Sequence, residues 1–161
     1  MSDFFKTGLR PTGSSSHRTF FPSEARLNAT KEPPKLGYVI IYVPDVARAV
    51  SFYERAFGVQ RRFVHDSGKY AEMETGATAL AFADEVDTPN RGAFETTRGD
   101  RRAAGAEVAF VVGDVREAFA RALESGATAV TDPVDKPWGQ TISYVRDLNG
   151  FLVEICSAVE P

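Results

Sequence analysis

An α+β fold built from two tandem βαβββ modules is what these 161 residues predict. Three observations carry the prediction. A strand–helix–three-strand pattern is read twice along the chain, equivalent positions recur at a nearly constant interval, and each pass supplies only one amphipathic helix for a whole sheet. Tyr38, Val43 and Asp45 recur 69 residues later as Glu107, Val112 and Asp114, and Gly58 recurs 68 residues later as Gly126. A fixed interval of this kind marks a duplicated structural unit. One helix covers one face of a sheet, so the other face must be buried by the sister module or left as a concave surface. Two such sheets meeting edge to edge would make a cup.

The elements follow in order. Tyr38-Val-Ile-Ile-Tyr-Val43 is β-branched and aromatic throughout, as strands are. Asp45 is placed to cap a helix whose apolar residues, Val46, Ala49, Val50, Tyr53 and Phe57, fall at three- and four-residue spacing. Gly58 ends it. Short strands over 60–65, 70–75 and 78–83 are punctuated by Ser67-Gly68 and Gly76. The second pass has a strand over 107–112, the cap Asp114, a stripe of Val115, Ala118, Phe119 and Ala122, and the stop Gly126. Strands over 127–131, 141–146 and 151–156 follow, the last two joined by Asn149-Gly150. The organisation predicted is an N-terminal basic arm (1–35), a first module (36–83), a polar linker or lid (84–105) and a second module (106–158).

The arm ends in Pro33-Pro34, an extended hinge, and carries Phe4-Phe5 and Phe20-Phe21 as candidate anchors. It holds six Lys/Arg against three Asp/Glu, whereas the remainder holds thirteen against nineteen. An acidic folded part offers no footprint for nucleic acid. No apolar run reaches membrane-spanning length and no secretory layout opens the chain, so no membrane partner is expected. Cys156 is the sole cysteine, which excludes an intrachain disulfide and a thiolate zinc cluster. A reducing interior fits, cytoplasmic or organellar. The Ser/Thr/Arg-rich arm is compatible with a transit segment or with docking into a larger assembly.

Alternation along strands sorts the faces. Val39, Ile41 and Val43 suit the helix side of the first strand, leaving Tyr38, Ile40 and Tyr42 toward the cup. Val108, Phe110 and Val112 leave Glu107, Ala109 and Val111, whereas Phe151, Val153 and Ile155 leave Leu152, Glu154 and Cys156. Ala79, Ala81 and Ala83 are the cup-facing set of the fourth strand. Glu107 and Glu154 therefore land on otherwise apolar strand faces. A carboxyl that is desolvated or close to another has its pKa raised, which suits a base or an acceptor.

The stretches Tyr42-Val-Pro-Asp-Val-Ala-Arg-Ala-Val-Ser-Phe-Tyr-Glu-Arg-Ala-Phe-Gly58, Lys136-Pro-Trp-Gly-Gln140 and Tyr144-Val-Arg-Asp-Leu-Asn-Gly-Phe-Leu-Val-Glu-Ile155 resemble the vicinal-oxygen-chelate superfamily. That superfamily includes glyoxalase I, extradiol dioxygenases, fosfomycin-resistance enzymes and bleomycin-resistance proteins. The resemblance covers residues 36–158 and leaves the arm aside. Carried over by position, it implies metal-ligand sites at Tyr38, Ala81, Glu107 and Glu154. Histidine usually fills the first and third, and alanine supplies no donor. No cofactor is therefore expected, and a hard oxygen-ligated divalent ion is the metal these positions leave open.

Three functional readings stand at this point. The first is a metal-free binding protein similar to the bleomycin-resistance type, a homodimer taking a flat, cationic small molecule. Tyr38, Tyr42, Trp138 and Tyr144 would supply rings, and Glu107 and Glu154 the charge. The second is a glyoxalase-type lyase, isomerase or dioxygenase in which Glu107 or Glu154 abstracts a proton and Tyr38 donates a hydrogen bond. The third is a noncatalytic subunit docked through residues 1–35. His65, before Asp66-Ser67-Gly68, reads as a solvated hairpin residue, and Cys156 as a small buried hydrophobe.

Overall fold

The computed structural model describes residues 33–159, and residues 36–161 form a unit of their own. Phe4, Phe5, Phe20, Phe21 and the rest of the arm through Glu32 lie outside the described residues. The first module comprises β1 (Tyr38–Val43), α1 (Val46–Phe57), β2 (Arg61–Val64), β3 (Tyr70–Met73) and β4 (Ala79–Asp84). The second comprises β5 (Glu107–Val111), α2 (Val115–Glu124), β6 (Thr128–Asp135), β7 (Thr141–Arg146) and β8 (Leu152–Cys156). Each module makes one four-stranded mixed sheet, ordered β1-β4-β3-β2 and β5-β8-β7-β6. The first strand of each runs parallel to the fourth, and the other pairs are antiparallel.

Both predicted caps form. The Asp45 carboxylate accepts from the Arg48 N–H at 2.9 Å and Asp114 from the Glu117 N–H at 2.9 Å, satisfying donors that the first helical turn leaves free. Gly58 closes α1 at φ 72°, a left-handed conformation that costs glycine little. Several strand ends shift by one or two residues, and two differences have a structural reason. Helix α2 is capped by Ser125, one residue before Gly126. Strand β6 runs on through Pro133 to Asp135 instead of ending at Thr131. It pairs only with β7 and does so through register shifts, so an open edge tolerates the missing proline donor.

The helix-facing sides of both sheets share one core. Phe52, Tyr53, Met73 and Phe82 are fully buried in the first module, and Val145, Val153 and Ile155 in the second. Aromatic rings join the halves: Phe57 stacks on Phe110 with centroids 4.9 Å apart, and Tyr53 meets Phe110 edge-on at 6.2 Å. Two hydrogen bonds add to the join, from Tyr53 Oη to Asp147 (3.1 Å) and from Arg121 Nε to the Ala56 carbonyl (3.1 Å). The two sheets remain separate ladders, so the expected cup is two open faces and not one continuous wall. Their outward faces carry exposed Tyr38, Ile40, Phe63, Val111 and Val134.

Between β4 and β5 the chain crosses from one module to the other in a series of turns, residues 85–106. Phe94 stacks on Tyr42 at 4.3 Å, and Asn90 donates to the Tyr42 hydroxyl at 3.1 Å. The Glu85 carboxylate is buried and takes both terminal nitrogens of Arg98, one at 2.9 Å. The Arg146 guanidinium then donates to three carbonyls: Gly150 (2.9 Å), Gly99 (3.1 Å) and Arg98 (2.8 Å).

Candidate functional site

The open face of the second sheet is laid out by its strand register. One row reads Ala109–Glu154–Tyr144–Thr131 across β5, β8, β7 and β6. The neighbouring row reads Glu107–Leu152–Arg146–Thr128. Glu107 and Glu154 therefore sit one strand apart, on diagonal positions of adjacent rows, and their carboxyls come within hydrogen-bonding reach. Alternation had put both on this face, and the ladder puts them together.

Partial desolvation against the apolar strand surface lifts the Glu107 carboxyl above its usual range. A hydrogen bond to Glu154 and the charge of Glu154 push it the same way. A carboxylate beside it disfavours the ionised form of Glu107. Tyr144 faces the pair from β7, its phenol raised by desolvation and then by the charges of Glu154 and Glu107. Cys156, buried on the same face, has its thiol raised by burial and by Glu154, so it stays protonated and packs as a small hydrophobe.

The remaining predicted residues are spread more widely. Tyr38 lies on β1 of the first sheet and is 55% exposed. Tyr42, on the same strand, has one ring face covered by Phe94 and its hydroxyl engaged by Asn90, which also lowers its pKa. Trp138 is in the β6–β7 turn and is 58% exposed; its indole N–H donates to Gln140 at 3.0 Å, and Lys136 Nζ lies 5.9 Å from its ring. His65 is exposed and bonded to Ser67, as a hairpin residue.

On the first sheet the equivalent row reads Ile40–Ala81–Glu72. Glu72 accepts from the Tyr70 hydroxyl at 3.1 Å, and burial with that bond pushes Tyr70 up to about 12. This Tyr70–Glu72 pair was missed from sequence. The signal was present in the alternation of Tyr70-Ala-Glu-Met73, whose Ala71 and Met73 are buried against the helix.

A cavity of about 280 Å³ opens where the modules meet, lined by Val39, Ala79, Leu80, Val108 and Phe110 with Glu107 on its wall. A groove of about 230 Å³ along α1 is bordered by Glu54 and Arg61, already paired with each other at 3.1 Å. The cavity is the better candidate because, among the described residues, no ion pair engages its carboxyl.

The positions carried over as metal ligands do not make a metal cage. Of these four, Ala81 has no donor atom, and the other three offer two carboxyls and a phenol. Among the described residues no group of three or more His, Cys, Asp or Glu is arranged to hold an ion. Two carboxyls alone are a poor match for zinc or iron.

A family model described as the glyoxalase/bleomycin resistance protein/dioxygenase superfamily matches residues 35–155, and the chain belongs to that superfamily. Among solved structures, TioX from Micromonospora sp. ML1 is 27% identical with a TM-score of 0.59, over 77% of this chain and 98% of that one. A glyoxalase/bleomycin resistance protein/dioxygenase family enzyme from Burkholderia phytofirmans PsJN is 21% identical with a TM-score of 0.64, over 79% and 100%. A glyoxalase-related enzyme from Fulvimarina pelagi, 17% identical with a TM-score of 0.65 over 78% and 89%, shares the fold. No curated protein matches the chain. Among the described residues no helix is long and apolar enough to cross a membrane.

Proposed function

We propose that this protein binds a small, flat, cationic molecule at the Glu107–Glu154 pair, as a metal-free homodimer of the bleomycin-resistance type. The carrying observation is the placing of two carboxyls on adjacent strands of one open sheet face, with Tyr144 beside them. A desolvated acid pair attracts a cation more strongly than solvated carboxylates do, and the neighbouring phenol offers a ring to stack on. The adjoining 280 Å³ cavity is close to the size of a compact ligand site. The exposed apolar residues of β1 and β5 favour a second copy over bulk water.

Isothermal titration of wild type, Glu107→Gln and Glu154→Gln against a panel of aromatic cations tests the reading. Each substitution should weaken binding about ten- to hundredfold, the equivalent of roughly 1.5–3 kcal/mol for a charged contact. The pH dependence has a definite sign. Glu107 holds its proton to higher pH than an ordinary carboxyl, so cation affinity should rise as pH climbs through that titration and then level off. Wild type that binds no cation at any pH would defeat the proposal.

The raised Glu107 carboxyl also favours one alternative, an acid–base enzyme of lyase or isomerase type. In that case Glu→Gln would leave ligand affinity nearly intact while abolishing turnover. The accessory-subunit reading rests on residues 1–35, and absence of both binding and turnover would favour it.

A further inference from the structure

The crossover segment has a cavity of its own, about 300 Å³, walled by Glu95, Thr96, Thr97, Arg101 and Arg102. It shares no lining residue with the cavity at Glu107, and it sets two guanidiniums against one carboxylate. Several guanidiniums of this domain are spent: Arg62 on Glu74, Arg98 on Glu85, Arg146 on three carbonyls. Those of the crossover cavity are not. Arg101 meets Glu95 at 3.8 Å, too long for a hydrogen bond, and the Glu95 side chain is 97% exposed. An ion pair so solvated contributes little. Among the described residues nothing engages the Arg102 guanidinium or the half-buried Thr96 and Thr97 hydroxyls.

The backbone that carries these donors is held in place. Phe94 stacks on Tyr42 at its start, and the buried Glu85 carboxylate grips Arg98 at its centre. A Cβ on Gly150 would come within 2.5 Å of the Arg98 carbonyl carbon and oxygen, so the segment rests directly on the second module. The Arg101 N–H donates to that Arg98 carbonyl at 3.2 Å, which ties the arginine turn to the clasped residue. Donors fixed beforehand lose less freedom when a ligand arrives.

From this arrangement we infer that the crossover cavity binds the phosphate group of a small molecule. Guanidinium forks match the oxygen spacing of both carboxylate and phosphate. Donor supply decides between them. Two forks and two hydroxyls exceed the roughly four acceptor sites of a carboxylate, whereas a phosphate brings three strong acceptor oxygens and a charge of about −1.5 to −2 for two cations. The volume, at the lower end of small-molecule sites, leaves room for an organic body beside the phosphate. The inference is independent of the proposed function, since neither Glu107 nor Glu154 belongs to this site.

The experiment is isothermal titration of the full-length chain with inorganic phosphate, glycerol 3-phosphate and acetate in low-salt buffer. Arginine side-chain NMR signals are followed in parallel. Both phosphates should bind and shift the Arg101 and Arg102 signals, and acetate should bind at least tenfold more weakly. Arg101→Met/Arg102→Met should weaken phosphate binding about ten- to hundredfold, the usual loss for charged hydrogen bonds. Arg48→Met, which removes an exposed arginine from α1, should leave it unchanged. Thr96→Val/Thr97→Val keeps the charge and should still cost about two- to tenfold, a loss that a diffuse basic surface would not show. Glu95→Gln removes the competing carboxylate and should tighten binding about two- to fivefold. Tighter binding of glycerol 3-phosphate makes a phosphate ester the occupant and equal binding makes it the free anion; both uphold the site. Wild type that binds no phosphate at millimolar concentration would overturn the inference, as would equal affinity in Arg101→Met/Arg102→Met.

Discussion

Replacing Tyr53 by Phe removes one oxygen atom and tests how the two modules are held together. Tyr53 is fully buried on α1 of the first module, and its hydroxyl donates at 3.1 Å to Asp147, a buried residue at the β7–β8 turn of the second. Burial lifts the Asp147 carboxyl above its ordinary range, against the pull of backbone donors from Phe151, Asn149 and Gly150 and of the Tyr53 hydroxyl. The ring remains in place in the variant, so the loss is the hydrogen bond and not the packing. A bond to a carboxylate in such a site contributes roughly 1.5–3 kcal/mol. For a domain of this size that lowers the thermal midpoint by roughly 5–10 °C. The pH dependence has a sign as well. A carboxyl whose folded pKa lies above its unfolded value costs stability as pH rises through the folded pKa. Tyr53 favours the ionised form, so the deficit of Tyr53→Phe should grow as pH rises through that titration and shrink below it. Urea unfolding of both proteins at a series of pH values measures this. A deficit below about 0.5 kcal/mol at every pH would refute the reasoning.

Three further outcomes are expected. Elemental analysis of protein purified without chelator should find no stoichiometric transition metal, and one metal per chain lost on Glu154→Gln would contradict the donor-set argument. Light scattering at micromolar concentration should give a dimer; deleting residues 1–34 should leave the domain folded, because both modules lie beyond Pro34, yet weaken assembly.

Much of this architecture was legible in the sequence, because the information is local and duplicated. Asp45 and Asp114 each precede a helical stripe, and alternation in β1, β5 and β8 sorted faces that burial bears out at Val43, Val153 and Ile155. Alternation also placed Glu107 and Glu154 on one face. It could not bring them into contact, since that depends on the parallel register of β5 against β8, set by long-range packing. The crossover segment was read as polar linker because its ordering comes from single long-range contacts: Phe94 on Tyr42, Arg98 on Glu85 and Arg146 on two of its carbonyls. None of these leaves a periodic trace. Strand β6 runs past its expected end at Thr131 because Pro133, a residue that usually interrupts a strand, costs little on an open edge.

Duplicated folds commonly offer two equivalent berths, one in each half. Here the halves have diverged at the matching squares of the ladder. Ala81 stands where the second module has Glu154, Tyr38 where it has Glu107, and Glu72 where it has Tyr144. The first sheet's carboxyls are already engaged, Glu72 by the Tyr70 hydroxyl and Glu74, two residues on, by the Arg62 guanidinium. A molecule that recognises the acid pair finds no counterpart on the other face. On the proposed reading, the stoichiometry expected is one ligand per chain, and twofold symmetry in any titration curve would have to arise from a pair of chains and not from the internal repeat.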